Sequence, residues 1–214
     1  GLTSDTIGCV TKLMTNEELI TIGQKIFNPL PGTKMGAKGY MGARIQPNSP
    51  TDHPEDVAWQ VFNAFSYATG DMVIGTNPVD SQVKSVAAVQ KALKDIVETF
   101  KLKGTIPWCV LSHIDVQAEV SRQYPGTVAT MFQSLAGTDD CNKTFDVTVE
   151  KIMNYAKSKK GERYGLYFET GQGSEVTNGA ANGVDMMVLE SRKYGFSRAV
   201  GMELAKVQPK GAWL

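Results

Sequence analysis

A chain of 214 residues, 42% hydrophobic and 21% charged, has enough apolar material for a core, and its 22 basic and 22 acidic side chains cancel. Zero net charge argues against a nucleic-acid or anionic-membrane partner, which needs a basic excess, and no run of about 18 apolar residues offers a membrane span. Three well-separated cysteines (Cys9, Cys109, Cys141) and two histidines (His53, His113) give neither a disulfide framework nor zinc-ligand spacing; they suit free thiols in a reducing compartment.

In chain order, "TNEELITIGQKIF" (15–27) predicts a first helix, with Thr15 as cap and Glu18 closing a capping box. "YMGARIQPN" (40–48) reads as a strand leaving into a proline-marked loop. Residues 52–70 predict a helix with Asp52 as N-cap, Pro54 in the first turn and Gly70 as stop. "DMVIGTNPV" (71–79) is a second strand. A long helix over 81–100 follows, with Val83, Val86, Val89, Leu93, Ile96, Val97 and Phe100 on one face. "IPWCVLSHI" (106–114) is a third strand, then comes a short helix ending near Pro125 and Gly126, and "TVATMFQSLAG" (127–137) is a fourth. Residues 142–158 predict a helix with Phe145, Val149, Ile152, Met153 and Ala156 inward. "RYGLYFETGQG" (163–173) is a fifth strand and "GVDMMVLESRKYG" (183–195) a sixth.

Helices alternating with strands that read as apolar runs predict a helix-covered parallel sheet. Two architectures compete, an open doubly wound sheet and a (β/α)8 TIM barrel. The first strand lacks the G-x-G-x-x-G turn of a dinucleotide-binding sheet. The glycine-rich turn, "GQGSEVTNG", follows the fifth strand instead, which favours an α/β TIM barrel with about six of its eight strands present.

A barrel enzyme gathers its chemistry at the C-terminal ends of its strands. Those ends carry Arg44 and Gln46, Asn77 and Pro78, Ser112 and His113, Gln133 and Ser134, Glu169 and Thr170, and Glu190 and Arg192. They are either solvated loop residues and buried hydrogen-bond partners or a ring around one polar ligand. The ring is rich in amides and hydroxyls, and no cluster of histidine and carboxylate ligands for metal hydrolysis is visible. Glu169 with Glu190 would suit paired-carboxylate glycoside cleavage, although aromatic sugar platforms at the strand ends are wanting. His113 reads more simply as a buried hydrogen-bond partner than as a catalyst.

With these residues in view, the sequence resembles the large subunit of ethanolamine ammonia-lyase. The resemblance is carried by "GLTS" (1–4), "ARIQPN" (43–48), "GDMVIGTNPV" (70–79), "CVLSH" (109–113), "FQSLAG" (132–137), "LYFETGQGS" (166–174) and "LESRKYGFSR" (189–198), in the family's order. It implies an adenosylcobalamin-dependent radical lyase that converts ethanolamine to acetaldehyde and ammonia, paired with a small subunit in a hetero-oligomer. The implied setting is the cytoplasm, inside a bacterial microcompartment. Residue by residue, it puts Arg44, Gln46, Asn77 and Glu169 on substrate, with Glu169 on the ammonium group and Arg44 and Glu169 as the catalytic pair. Pro78, Gln133 and Thr177 fall at cobalamin contacts; at Thr177 the family's serine is replaced by threonine. No protein metal ligand is implied, since the Asp-x-His-x-x-Gly signature of base-off cobalamin proteins is absent. Measured against the family, an N-terminal region and the last barrel strands are missing. Residues 1–214 are therefore expected to form an incomplete TIM-barrel catalytic domain, inactive alone. A cobalamin-free barrel hydrolase using Glu169 and Glu190, or an inactive scaffold relative, remains the alternative.

Overall fold

The structure, a computed structural model, describes residues 1–25, 34–40, 42–68, 70–159, 162–170 and 179–207, with side chains described through 203. The chain divides into two units, one holding residues 1–27, 134–160 and 168–210 and the other residues 28–133, 161–167 and 211–214.

The second unit is built on parallel strands. β1 (Ala43–Ile45), β2 (Met72–Thr76) and β3 (Trp108–Val110) lie in that order, with Arg44 opposite Val73 and Gly75 opposite Cys109. Every residue of β2 is buried, as expected of a parallel strand covered on both faces. Helices α3 (Pro54–Ser66), α4 (Val83–Thr99) and α5 (Ile114–Gln123) belong to the same unit. α4 buries Val86, Val89, Leu93, Ile96 and Val97, the stripe its spacing predicts. Phe100, expected on that stripe, is its C-cap and is half exposed, packed edge-on against Phe62 and Phe65 of α3.

β4 (Met131–Ser134) and β5 (Leu166–Glu169) form a second sheet. The Met131 N–H donates to the Gly165 carbonyl, and the Leu135 N–H to that of Glu169. Both partners advance by four residues, which makes the pair parallel. Gln117 of α5, fully buried, holds β4 from the side. Its amide nitrogen donates to the carbonyls of Ser112 (2.6 Å) and Phe132 (2.8 Å), and its oxygen accepts the Phe132 N–H (2.9 Å). One side chain thus supplies what a neighbouring strand would give the backbone there.

In the first unit are α1 (Ser4–Leu13), α2 (Asn16–Gly23), α6 (Asp139–Thr144), α7 (Val149–Ser158) and α8 (Met186–Val207). The capping box at Thr15 and Glu18 forms as predicted, and α2 begins at Asn16. α1 and α7 pack on α8. Gly8 admits Val188, and the Lys12 ammonium pairs with Asp185, holding that carboxyl below its usual range.

Three expectations are corrected. The sixth strand, 183–195, is instead the start of α8. Met, Leu, Glu, Arg and Lys favour a helix. The Asp185 carboxylate accepts the Met187 N–H, and buried residues recur at Leu189, Lys193, Ser197 and Val200, the spacing of a helix face. The described residues therefore hold five strands. The helix over 142–158 is two helices. They are split after α6 by Asp146 in the left-handed region (φ 51°), α7 starts afresh on a Thr148 cap, and Val149 is exposed.

The third correction concerns Asp52. It does not cap α3; His53 occupies that position, without a side-chain bond. Asp52 is buried with φ 53°. Its carboxylate accepts the Val79 and Asp80 N–H groups, both at 2.8 Å, and the Ser85 hydroxyl. It clasps the loop that carries Asn77 and Pro78. Asp52→Ala is expected to destabilise by about 2–3 kcal/mol, the scale of lost hydrogen bonds to a charged group. The amides of Val79 and Asp80 should lose protection in hydrogen exchange, while those of β2 keep theirs.

Candidate functional site

The two ends of the second unit's strands differ in character. At the N-terminal end, Met35, Val73 and Tyr164 form a buried cluster with Ala129 packed against it. The Tyr164 hydroxyl is buried without a hydrogen-bond partner, and burial pushes its pKa up, opposed by the nearby Arg163. Gln46 follows the C-terminal end of β1, Asn77 and Pro78 follow that of β2, and Arg44 stands in the middle of β1.

Arg44, on β1, shows how the strands make a site there. In the parallel register it faces Val73, so its side chain runs toward Gly75, two residues further along β2 on the same face. A Cβ on Gly75 would lie 3.2 Å from Arg44 Cδ and 3.0 Å from Leu111 Cδ1. The missing side chain thus gives the arginine stem a floor. The guanidinium donates to Gln46 Oε1 and, at 3.0 Å, to the Tyr167 hydroxyl on β5. Arg44 and Gln46, two residues apart in the sequence, thus meet in a direct hydrogen bond. The Tyr167 ring packs on Phe132, with centroids 5.6 Å apart.

Asn77 is exposed and Pro78 half-buried in the loop after β2, the loop that Asp52 clasps. Gln133 is 3% exposed, and its carbonyl accepts the Ile114 N–H at 3.0 Å, serving the first turn of α5. His113 is the N-cap of α5, its Nδ1 accepting the Asp115 N–H at 3.2 Å. Its local role is structural.

Glu169 is the last residue of β5, half-buried, and its backbone carbonyl holds Leu135. Glu190 stands in the first turns of α8 rather than at a strand end, with one carboxylate oxygen buried and without a hydrogen-bond partner. Arg192, also on α8, donates to the Ser4 hydroxyl. Thr177 lies outside the described residues. Among the described residues, no group of three or more histidine, cysteine or acidic side chains is arranged to hold a metal ion.

The sequence reading missed Tyr167. It stands two residues before Glu169, and the burial of β5 alternates, with Leu166 and Phe168 buried and Tyr167 and Glu169 half-buried. That alternation was readable in "LYFE", where a polar tip marks every second position.

The profile of the family described as "Ethanolamine ammonia lyase large subunit (EutB)" matches residues 1–206. The chain is 34% identical over 208 residues to the ethanolamine ammonia-lyase large subunits of Escherichia coli K12 and of Salmonella typhimurium LT2. The match covers 92% of this chain and 44% of each relative, so the chain spans less than half the length of the curated relatives it matches.

Proposed function

Because the chain belongs to the ethanolamine ammonia-lyase large subunit family, we propose that it supplies part of the substrate wall of an adenosylcobalamin-dependent lyase that converts ethanolamine to acetaldehyde and ammonia. In this reading the five parallel strands are consecutive strands of a (β/α)8 barrel. The words "large subunit" in the relatives' names support a small-subunit partner in a hetero-oligomer.

The observation that carries the reading is the fixed guanidinium of Arg44. An arginine keeps its charge at any pH the protein meets. Held by Gln46 and Tyr167, it sets a fixed positive charge beside the strand ends, which suits an alcohol oxygen. The Gln46 carbonyl is committed to Arg44, which leaves its amide hydrogens for the ligand. Asn77 can both donate and accept, which suits an amino alcohol. Glu169 takes the ammonium group, since charge-assisted bonds to carboxylate are the strong kind. Glu190 stands on a helix rather than at a strand end, which favours this reading over paired-carboxylate hydrolysis.

The residues present fit a cobalamin in part. Exposed Asn77, half-buried Pro78 and exposed Val79 form an uncharged ledge after β2 that a broad ring can lie against. Gln133 fits less well, because its carbonyl already serves α5. When bound, the cofactor supplies the radical that takes hydrogen from the carbinol carbon; the protein's share is to bind, orient and shield. Arg44 then polarises the alcohol oxygen while Glu169 and the two amides keep the nitrogen in place.

The test uses the full-length subunit with its small partner, adenosylcobalamin and ethanolamine. Release of ammonia and acetaldehyde is expected, and their absence would overturn the reading. Arg44→Ala should lower kcat/KM by about a hundredfold, on the scale of hydrogen bonds to a charged group. Wild-type turnover by that variant would dismiss the role of Arg44.

A further inference from the structure

We propose that Asp52 is a positioning residue for the substrate nitrogen, acting by fixing Asn77 against the loop that begins at Gln46. This rests on the reading of Asn77 given above.

The loop after β2 is held from both sides. Before Asn77, the buried Thr76 hydroxyl donates to the Pro47 carbonyl. After Pro78, the Val79 and Asp80 N–H groups each donate to one oxygen of the Asp52 carboxylate at 2.8 Å, and the Ser85 hydroxyl adds a third bond at 3.3 Å. Both anchors, Pro47 and Asp52, belong to the segment between β1 and α3 that begins with Gln46. Asn77 and Pro78 thus form a short arch whose two feet are tied to the neighbouring loop. Proline has no N–H and keeps the residue before it extended, so the arch has few conformations of its own.

The anchoring segment is firm as well. Buried Ser49 accepts the His53 N–H at its hydroxyl, at 2.9 Å, and the Asp52 N–H at its carbonyl, at 3.3 Å. Asp52 is held at φ 53°, a left-handed conformation that is uncommon outside glycine and costs free energy wherever it is kept. In return its carboxylate serves the next loop rather than α3. Gln46 and Asn77 are therefore set relative to each other before a ligand arrives, and binding need not order the loop.

The test is a double-mutant cycle on the full-length subunit with its small partner, read as the calorimetric Kd of ethanolamine and of ethylene glycol without cofactor. Asp52→Asn suits it, because asparagine tolerates the left-handed backbone and keeps one acceptor, while its amide nitrogen meets an N–H donor in place of the second. It should weaken ethanolamine by about tenfold and ethylene glycol, which has no nitrogen, by less than about twofold. Asn77→Ala should weaken ethanolamine, and adding Asp52→Asn to it should change Kd by less than about twofold. Ser85→Ala removes only the third bond to the carboxylate; it should show the same pattern at about threefold and decides the matter should Asp52→Asn fail to fold. Equal losses for both ligands, no loss, or losses that multiply in the double variant would overturn the inference. If Asn77→Ala binds ethanolamine as tightly as wild type, the reading of Asn77 falls and the inference with it. If Asn77→Ala weakens binding and Asp52→Asn does not, the inference alone falls.

Discussion

Replacing Glu169 by glutamine in the full-length subunit should weaken ethanolamine binding by about a hundred- to a thousandfold. Glutamine matches the carboxylate in shape and removes only its charge. Ethanolamine is an ammonium ion at neutral pH, and leaving that charge without its partner at a half-buried position costs about 3–4 kcal/mol, the lower end of the range for buried pairs, which corresponds to that range of Kd. Glu169 ends β5, a half-buried position on a strand whose carbonyl is tied to Leu135. The carboxylate is thus attached to rigid backbone. Ethylene glycol supplies the control, since it carries the hydroxyls without the cation. Calorimetry should show its Kd nearly unchanged in the variant. An equal loss for both ligands would mean that the substitution disturbs the strand, and retained ethanolamine affinity would dismiss the proposed role of Glu169.

A large effect on stability is also expected from Gly137→Ala. An added Cβ would sit 2.6 Å from the Leu189 carbonyl oxygen and 2.9 Å from its Cα. These are backbone atoms of α8, so no rotamer change can relieve the clash. The helix must shift, and with it the buried face of Leu189, Lys193 and Val200. Overpacking costs about 1–3 kcal/mol and more where the obstacle is rigid. At this chain length Tm should fall by about 5 °C or more. Gly195→Ala is the matched comparison. Gly195 lies within the same helix, and a Cβ there meets nothing within 4 Å. It should stabilise by about 1 kcal/mol through helix propensity alone. Thermal unfolding of both variants separates crowding at Gly137 from a general effect of adding a methyl group beside or within α8.

What could be read ahead of the structure divides along physical lines. Local chemistry was readable. Thr15 and Glu18 announce α2 because the capping box is complete within four residues. The valine and leucine stripe announces α4, and the apolar run of β2 announces a strand buried on both sides. The strand ends were readable in part. Arg44 and Gln46 meet as their two-residue spacing requires, whereas Glu190 and Arg192 were misassigned with the helix they occupy. That error has a clear source, since the apolar run "MMVL" begins a strand and a buried helix equally well. Asp52 resembled a helix cap because it stands just before Pro54. Its actual partners are more than 25 residues away, and no local pattern encodes them. Tyr167 was missed for a related reason: its partner lies 123 residues earlier in the chain.

Gln117 gives the fold a requirement that few amino acids could meet. The site needs a side chain of one length that both gives and receives hydrogen bonds while sealed from water. Asparagine falls a methylene short, ionised glutamate has no proton to give, and an aliphatic residue would strand the polar atoms around it. Position 117 should therefore tolerate replacement less readily than many exposed residues at the strand ends.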